Sequence, residues 1–270
     1  MLKMYDFPES VCCQKVRLAI AEKGVEVEEQ PTMLDQGAQY SEEFLKLNPK
    51  GVVPVAEHNG RVITESTIIS EYINEAFDGP ELMPADPYWR ARKRYWARQI
   101  DDGIHNPHCT AISFVVALRF AFLDTLDTPE KLEAHLARVR DPVSRDRQRE
   151  GFELAYEAPS FITAVMAYDQ FLGEMDSALN ETDWLAGDAL SLADLDVAPY
   201  VHRLDCLGLE SMWANRPKIA DWYDRMRSRS SWEQAIQKPH IEKWLGLMAM
   251  GGKDALGYVQ KILATTDSTE

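Results

Sequence analysis

The stretch Phe7-Pro-Glu-Ser-Val-Cys-Cys-Gln-Lys-Val-Arg17 marks the point where a short apolar run gives way to a helical pattern. Residues 2–7, which end at the first residue of this stretch, form a candidate strand. The apolar spacing of Val11–Lys23 predicts a helix that ends at Gly24. The alternating run Val25-Glu-Val-Glu28 then predicts a second strand. The quoted stretch therefore lies at the first corner of a predicted β-α-β unit.

Four further elements follow in the first third of the chain. A short helical pattern covers residues 41–47, and two apolar runs at residues 53–57 and Arg61–Thr64 flank an Asn59-Gly60 pair. Asn-Gly between two apolar runs is typical of a tight hairpin, so we expect these two strands to be antiparallel. A last helix over residues 66–77 completes the order β-α-β-α-β-β-α, which is that of a thioredoxin-like α/β domain with a mixed sheet.

The domain organisation follows from a change of pattern near residue 80. We assign residues 1–80 to the thioredoxin-like domain and residues 81–87, which contain two prolines, to a linker. Residues 88–270 show helical patterns without a convincing strand, and we expect an all-helical domain there. A charge-rich insert at about residues 124–150 is expected at the periphery of this domain.

One helix start and one C-terminal segment stand out in the predicted helical domain. Ser191 followed by Asp194 is typical of a helix N-cap with an acidic residue in the first turn. A helix is predicted over residues 232–245. The segment that begins at Gly246 is predicted to be a short docked helix or a lid, because a glycine pair precedes apolar residues at helical spacing.

The composition excludes several classes of protein. The 270 residues include 29 Lys and Arg against 44 Asp and Glu, a net charge of −15, so nucleic acid is not an expected partner. No apolar run approaches the roughly 20 residues of a membrane-spanning helix, and no secretory signal pattern is present. The four cysteines predict neither a disulfide framework nor a metal site. We expect a cytoplasmic protein without a membrane partner.

Ser10 is the candidate catalytic residue at the first corner. The free N–H groups and the positive end of the predicted helix stabilise an anion there, and the Ser10 hydroxyl can donate a hydrogen bond to a thiolate. A thiol bound at this corner would therefore ionise more readily. A simpler interpretation, which the residue type alone favours, is that Ser10 only caps the helix.

Two dipeptides indicate a peptide or amino-acid ligand. Val53-Pro54 stands at the head of a strand, where a proline lacks an N–H and can be cis, which would turn the Val53 backbone toward a ligand. Glu65-Ser66 starts a helix directly after a strand, so Ser66 can hold a carboxylate and Glu65 can accept from an ammonium. Taken alone, the second pair also fits an ordinary acidic helix start.

Together these motifs resemble those of glutathione transferases. The resemblance is carried by Ser10-Val-Cys-Cys-Gln-Lys-Val-Arg17, Asn48-Pro-Lys-Gly-Val-Val-Pro54, Thr64-Glu-Ser-Thr67 and Ser191-Leu-Ala-Asp194. It implies a thioredoxin-like glutathione-binding domain followed by an all-helical substrate-binding domain at residues 88–270, with glutathione as co-substrate.

The resemblance also implies roles for the site residues. Ser10 would hydrogen-bond the glutathione sulfur and stabilise it as a thiolate. Val53, next to Pro54, would pair its backbone with the cysteinyl part, and Glu65 with Ser66 would hold the γ-glutamyl end.

The glycine end of glutathione and the assembly of the protein are implied in the same way. Gln39 and Lys50 would reach the glycine carboxylate. The resemblance further implies that the protein is a homodimer.

Three stretches are similar to bacterial β-aryl etherases of lignin breakdown, namely residues 48–67, Ala85-Asp-Pro-Tyr-Trp-Arg-Ala-Arg-Lys-Arg94 and Arg149-Glu-Gly-Phe152. Those enzymes cleave an ether by glutathione attack, which implies a small hydrophobic electrophile as second substrate. The residues that we expect to line its pocket are Pro8, Val11, Ile104, His108, Phe114 and Tyr200. His105 or His108 is an alternative proton donor to the leaving group.

Two other functions remain open. A helix N-terminus lowers a thiol pKa, so Cys12 or Cys13 is a possible nucleophile of a glutathione-dependent thiol-disulfide oxidoreductase. The Ser-x-x-Cys spacing, in place of Cys-x-x-Cys, argues against this and favours two buried helix residues. The third hypothesis is a non-catalytic glutathione-binding scaffold, because a fold does not determine a function.

Overall fold

The computed structural model describes residues 1–123 and 125–266. Asp124, in the predicted insert, and residues 267–270, at the end of the predicted helical domain, lie outside the described residues. The strands are β1 Leu2–Asp6, β2 Val27–Pro31, β3 Val55–His58 and β4 Arg61–Thr64. The α-helices are α1 Val11–Lys23, α2 Glu42–Leu47, α3 Ser66–Ala76, α4 Pro87–Arg98, α5 Thr110–Ser113, α6 Phe120–Leu123, α7 Pro129–Leu136, α8 Pro142–Leu154, α9 Pro159–Glu181, α10 Leu192–Cys206, α11 Pro217–Arg227, α12 Ser230–Trp232 and α13 Glu242–Thr266.

The four strands form one mixed sheet in the order β2-β1-β3-β4. β1 and β2 are parallel, with Leu2 opposite Val27, whereas β3 is antiparallel to both β1 and β4. Between β3 and β4, Asn59 and Gly60 have positive φ values of 52° and 72°, as a tight two-residue hairpin turn requires. The predicted order β-α-β-α-β-β-α is confirmed, although β2 starts at Val27 because its pairing with β1 begins there.

Helices α1 and α3 pack against each other through fully buried side chains. Val16 and Leu18 of α1 and Ile69 and Ile73 of α3 have no exposed surface. Gly24, with φ of 70°, ends α1 in the left-handed conformation that glycine adopts without strain, as predicted. The packing fixes the two helices whose first turns carry the predicted site.

The chain forms two compact units. The first contains Met1–Ala97, Ala178–Pro199 and Asp221–Ile241, and so includes the sheet and helices α1 to α3. The second contains Arg98–Ser177, Tyr200–Ala220 and the chain from Glu242 onward. The assignment of residues 1–80, 81–87 and 88–270 to two domains and a linker stays a prediction.

The predicted start of α10 is confirmed in the first unit. Asp194 Oδ2 accepts from the Ser191 amide at 3.0 Å, and Ser191 Oγ accepts from the Ala193 amide at 3.2 Å. Asp194 Oδ1 also accepts from the Leu185 amide and from Trp222 Nε1. Complete burial raises the pKa of Asp194, and these hydrogen bonds oppose the rise.

The helical region after α4 contains an irregular stretch. Gln99–Cys109 is wound as a wider π-type helix, and Asn106 leaves helical geometry with φ of −130° and ψ of 115°. Asn106 precedes Pro107, and a proline disfavours helical geometry in the residue before it. His105 and His108 therefore do not lie on one regular helix.

The prediction of a helix over residues 232–245 is wrong. α12 ends at Trp232, a π-helical turn continues to Gln237, and α13 begins only at Glu242. Pro239 lies in the break, and a proline cannot donate the backbone hydrogen bond that a helix interior needs. α13 then runs through Gly246 to Thr266, so the tail belongs to one long helix rather than to a separate short one.

The glycine pair in α13 explains how this helix is docked in the second unit. A Cβ atom at Gly251 would lie 1.6 Å from the carbonyl oxygen of Val116, and one at Gly252 would lie 1.7 Å from that of Leu207. A side chain at either position would therefore force the neighbouring backbone to shift. The C-terminal segment is therefore docked, as the first of the two predicted alternatives states, but it is part of a 25-residue helix and not a short one.

The predicted insert contains two helices, α7 and α8. Thr128 caps α7 by accepting from the Lys131 amide, and Asp141 caps α8 by accepting from the Ser144 amide. Arg149 of α8 donates to Glu133 of α7 and joins the pair. Across residues 1–123 and 125–266, no helix is long and apolar enough to cross a membrane.

Candidate active site

Ser10 lies at the corner between β1 and α1 and is half-buried. Its Oγ accepts a hydrogen bond from the Cys13 amide at 3.3 Å, so Ser10 is the N-cap of α1. An oxygen that accepts this bond still carries its own O–H, which can donate to a bound anion. Among the described residues, the Val11 amide has no hydrogen-bond partner, and the first turn of α1 contains no acidic residue. Capping and anion stabilisation are therefore compatible at Ser10.

Buried side chains fix the turn before α1. Arg17 donates to Asp6 Oδ2 at 2.6 Å, to the Pro8 carbonyl at 2.6 Å and to the Ala235 carbonyl at 2.7 Å. Gln14 Nε2 donates to the same Pro8 carbonyl at 3.3 Å. Two donors on one carbonyl hold the turn in place at the residue two positions before the cap.

Glu9 gives this turn a second anchor. Its side chain is buried, and Oε1 accepts from the Ile241 amide at 2.8 Å. His240 Nδ1 lies 3.2 Å from Oε1 and 3.1 Å from Oε2. The residue next to Ser10 is thereby tied to the segment between α12 and α13, so the position of the cap depends on two distant parts of the chain.

The two cysteines of α1 differ in exposure. Cys13 has no exposed surface, and burial raises the pKa of its thiol well above the usual value, with the Asp6 charge adding to the rise. The nearby Arg17 charge opposes this effect without cancelling it. Cys12 is half-buried. Cys13 is thus a poor thiolate nucleophile at neutral pH.

The backbone before β3 is available to a ligand at Val53. The Val53–Pro54 peptide bond is cis, and Val53 lies outside β3. Among the described residues, neither the N–H nor the carbonyl of Val53 has a hydrogen-bond partner. Asn48 supports the preceding turn, donating to the Val52 carbonyl at 2.8 Å and accepting from the Lys50 amide at 3.1 Å.

Glu65 and Ser66 begin α3 with an unusual backbone. Glu65 has φ of 68°, which a side chain with a Cβ atom rarely adopts and which often marks a functional position. Its carboxylate accepts from Lys50 Nζ at 2.7 Å, and both of these side chains are exposed. Ser66 is buried, and among the described residues no group bonds its amide or its hydroxyl. Polar groups for a ligand are therefore present at this helix start.

A buried ion network supports α3. Lys15 of α1 and Lys93 of α4 are fully buried. Lys15 Nζ donates to Thr67 Oγ1 at 2.7 Å and lies 3.9 Å from Asp196 Oδ1. Lys93 Nζ lies 2.6 Å from Glu71 Oε1 and 3.4 Å from Asp196 Oδ2. The network connects α1, α3, α4 and α10 within the first unit, and so fixes the first turn of α3.

The remaining predicted glutathione residue, Gln39, is buried in the first unit. Its Nε2 donates to the Leu34 carbonyl at 3.5 Å, and its Oε1 is buried without a partner among the described residues. All seven predicted glutathione residues thus lie in the first unit, and the structure brings two of them, Lys50 and Glu65, into direct contact.

The residues predicted to contact the second substrate are divided between the units. Pro8 and Val11 lie in the first unit, in the turn before α1 and at its start. In the second unit, Ile104, Phe114 and Tyr200 have buried side chains and His108 is half-buried. The His105 ring contacts the edge of Tyr200 at 6.0 Å and the Phe114 ring contacts Phe152 at 5.1 Å. Whether they line one pocket stays a prediction.

Sequence reasoning missed the residues that hold the site in place. Arg17, Glu9 and Lys15 are within or beside the first corner, but their partners Ala235 and His240 lie 218 and 231 positions away. No local pattern indicates such contacts. The sequence offers one signal of a buried supporting group. Lys15 is a charged residue at a position that the helical pattern predicts to be buried.

Two family models match the sequence. "Glutathione S-transferase, N-terminal domain" matches residues 1–75, and "Glutathione S-transferase, C-terminal domain" matches residues 157–230. Together they cover more than half of the chain.

Known proteins match over almost the whole chain. Protein LigF of Sphingobium sp. (strain NBRC 103272 / SYK-6) is 28% identical over 255 residues, which cover 90% of this chain and 96% of LigF. A tetrachloro-p-hydroquinone reductive dehalogenase of Sphingobium chlorophenolicum is 25% identical over 258 residues, which cover 91% and 98% of the two chains. The crystal structure of beta-etherase LigF from strain SYK-6 matches with a TM-score of 0.74 at 26% identity, over 88% of this chain and 99% of that one.

Proposed function

Because the chain belongs to the glutathione S-transferase family, we propose that it holds the glutathione thiol at Ser10 as a thiolate and transfers it to an electrophilic carbon. The family uses glutathione as its co-substrate. The observation that carries the proposal is the Ser10 hydroxyl, which caps α1 through its oxygen and keeps its own proton to donate. The helix start adds the favourable field that an anion needs.

The other glutathione contacts would use two groups without partners among the described residues, the Val53 backbone and Ser66, together with Gln39 and the exposed Lys50–Glu65 ion pair. The Val53 backbone would pair with the backbone of the cysteinyl part. Ser66 would hold the γ-glutamyl carboxylate through its amide and hydroxyl, while Glu65 would accept from the γ-glutamyl ammonium. The glycine carboxylate would be bound by Lys50, whose ammonium already lies beside Glu65, and by Gln39.

The electrophile that we propose is a small aromatic ether or halide. Attack of the thiolate forms a sulfur–carbon bond while the bond from that carbon to oxygen or halogen breaks. An aryl oxygen leaves as phenolate and takes a proton from solvent, and a halogen leaves as halide. The support for aryl ether cleavage is the similarity to beta-etherase LigF, and that for aryl halides is the similarity to the reductive dehalogenase.

Several further properties are proposals of the same kind. A role in lignin degradation would follow from ether cleavage. A homodimer is proposed because the family is generally dimeric, and sedimentation equilibrium tests it. A cytoplasmic location and a substrate pocket lined by Pro8, Val11, Ile104, His108, Phe114 and Tyr200 remain predictions from the sequence.

The experiment is a product analysis with a panel of electrophiles. The protein is incubated with glutathione and a β-aryl ether model, an aryl halide or hydroxyethyl disulfide, and products are identified by mass. We expect a glutathione thioether with release of a phenol or halide. Reduction of the disulfide alone would contradict the proposal in favour of Cys12 or Cys13 chemistry. Retention of glutathione without any turnover would contradict it in favour of a scaffold.

A further inference from the structure

The insert helix α8 packs on one of the residues predicted to contact the electrophile. A Cβ atom at Gly151 would lie 2.8 Å from the Phe114 ring, and Phe152 meets that ring edge to face at 5.1 Å. Residues 76–156 lie outside both family models, so this covering helix belongs to a part of the chain that the family pattern does not specify. Within the second unit, α8 is thus positioned to influence the choice of electrophile.

Within the part of the chain that the structure describes, Arg147 and His108 each have a buried side-chain nitrogen without a hydrogen-bond partner. Arg147 of α8 uses Nε to donate to the Val143 carbonyl at 3.3 Å and Nη2 to donate to Ser144 Oγ at 3.1 Å. Its Nη1 is buried and has no hydrogen-bond partner among the described residues, and the same is true of His108 Nδ1. A buried donor without an acceptor costs free energy, so such a pair in a predicted substrate region indicates an acceptor that arrives with a ligand.

The two groups lie close enough to interact electrostatically. Burial lowers the pKa of His108, and the Arg147 charge lowers it further, so the imidazole is neutral at pH 7 and can carry its proton on Nδ1. Burial also lowers the pKa of Arg147, against the opposing charges of Asp141, the N-cap of α8, and of Glu150 on α8. An arginine guanidinium nevertheless stays charged at neutral pH, and among the described residues the buried Nη1 of Arg147 has no acceptor.

We infer that Arg147 and His108 form a binding site for an anionic oxygen of the electrophile, so that the second substrate is an aromatic compound bearing a carboxylate or phenolate. The Arg147 guanidinium supplies the charge and one donor, His108 supplies the second donor, and Phe114 with Phe152 supplies apolar contact for the ring. This inference rests on the proposed function and specifies its substrate class. Neither family model covers Arg147.

The test compares two electrophiles with the same reactive aryl halide, 4-chloro-3-nitrobenzoate and its neutral methyl ester. We expect the carboxylate to be preferred after correction for the uncatalysed rates. Arg147→Gln should lower kcat/KM for the carboxylate by about 10- to 100-fold, the cost of losing a hydrogen bond to a charged group, while the ester changes little. Arg147→Lys should retain part of the preference, because it keeps the charge without the planar donor pair.

Arg149→Gln is the matched control, because Arg149 lies on the same helix with its guanidinium already paired to Glu133. Arg149→Gln should leave the ratio of kcat/KM for the carboxylate to kcat/KM for the ester unchanged. The unfolding midpoint of Arg147→Gln without ligand should change little, because the two hydrogen bonds that it loses within α8 are offset by the removal of a partly buried charge. A fall in that midpoint with equal losses on both substrates would show a structural role and overturn the inference.

Failure of the inference and failure of the proposed function give different results. Turnover of the ester and the carboxylate with equal efficiency in wild type and Arg147→Gln would overturn the anion site and leave the transferase activity intact. Absence of thioether from either compound would contradict the transferase activity. In that case calorimetric binding of 4-nitrobenzoate to wild type, weakened in Arg147→Gln and not in Arg149→Gln, would still support the anion site. Lack of such binding would overturn it.

Discussion

Ser10 combines a structural and a chemical role in one hydroxyl. Removing it as Ser10→Ala should lower kcat/KM for conjugation by about 10- to 100-fold, because a hydrogen bond to the thiolate is lost. Loss of the cap should also lower the free energy of unfolding by about 0.5–2 kcal/mol. Steady-state kinetics and urea unfolding measure the two effects separately.

Ser41→Ala is the matched control for capping. Ser41 Oγ accepts from the Phe44 amide at 3.3 Å, the same distance as in the Ser10 cap. It should show the loss of stability without the loss of kcat/KM. Equal activity losses in the two variants would mean that Ser10 acts only through the helix.

Cys13 should be chemically inert in the folded protein, since burial raises the pKa of its thiol well above the usual value. Alkylation with iodoacetamide at pH 8 followed by peptide mass analysis should leave Cys13 unmodified. Cys13→Ala should keep the conjugation rate unchanged. Rapid labelling of Cys13, or loss of conjugation in the variant, would favour the cysteine-based mechanism.

At the residue scale, the sequence indicates groups at element boundaries and misses the groups that support them. Ser10, Glu65 and Ser66 are recognisable because helix starts have local signatures. Glu65 gives no sign of its positive φ, and Arg17 gives no sign that it donates to Ala235, because both depend on tertiary packing.

At the level of elements, an ion pair links α1 to the start of α12. Arg229 donates to both carboxylate oxygens of Glu22 at 2.5 and 2.8 Å, and Ser231 adds a further donor. Burial alone would raise the pKa of Glu22, but these hydrogen bonds outweigh it, and the folded-state pKa is lowered. Glu22→Gln should therefore lower the free energy of unfolding by about 1–3 kcal/mol at pH 7.

The pH dependence of this difference follows from the direction of the shift. A carboxyl whose pKa is lower in the folded state stabilises the protein fully above its unfolded value of about 4.3 and loses this contribution as the pH falls through the folded value. Urea unfolding of wild type and Glu22→Gln should converge in that acidic range. A difference that is constant from neutral to acidic pH would contradict the charge-based account.

The docking of α13 should depend on Gly251. A Cβ atom there would lie 1.6 Å from the Val116 carbonyl, so Gly251→Ala should destabilise the protein by about 1–3 kcal/mol. Gly257 on the same helix has nothing within 4 Å of a built Cβ, and Gly257→Ala should stabilise by up to about 1 kcal/mol through helix propensity. Thermal unfolding compares them, and a stabilised Gly251→Ala would show that the helix is not closely docked.

Strands and helices were largely predictable from periodicity, whereas the break between α12 and α13 and the docking of α13 were not. The apolar pattern over residues 232–245 continues across Pro239, but the helix breaks there. The spacing of apolar residues does not show that proline lacks the backbone N–H that a helix interior needs. The glycine pair Gly251-Gly252 contributed to the prediction of a short docked helix or a lid. In the structure, the pair is where α13 comes closest to the carbonyl oxygens of Val116 and Leu207. This close approach depends on tertiary packing and is not visible in the sequence.

At the scale of the whole molecule, the net charge of −15 disfavours a surface that attracts the phosphates of nucleic acid. Two family models and the fold support a glutathione transferase, while the anionic substrate that we propose depends on Arg147 and His108, which neither model covers. Substrate choice was the least predictable property, because orphaned donors such as Arg147 Nη1 become visible only in three dimensions.

The central claim is that the corner between β1 and α1 holds the glutathione sulfur as an anion. The most direct measurement is a pH titration of enzyme-bound glutathione, followed by the ultraviolet absorbance of the thiolate. The account predicts a bound-thiol pKa at least about one unit below the ordinary thiol value of about 8.5, moving back toward it in Ser10→Ala and not in Ser41→Ala. A bound thiol that titrates like free glutathione, or no binding of glutathione at all, would contradict it.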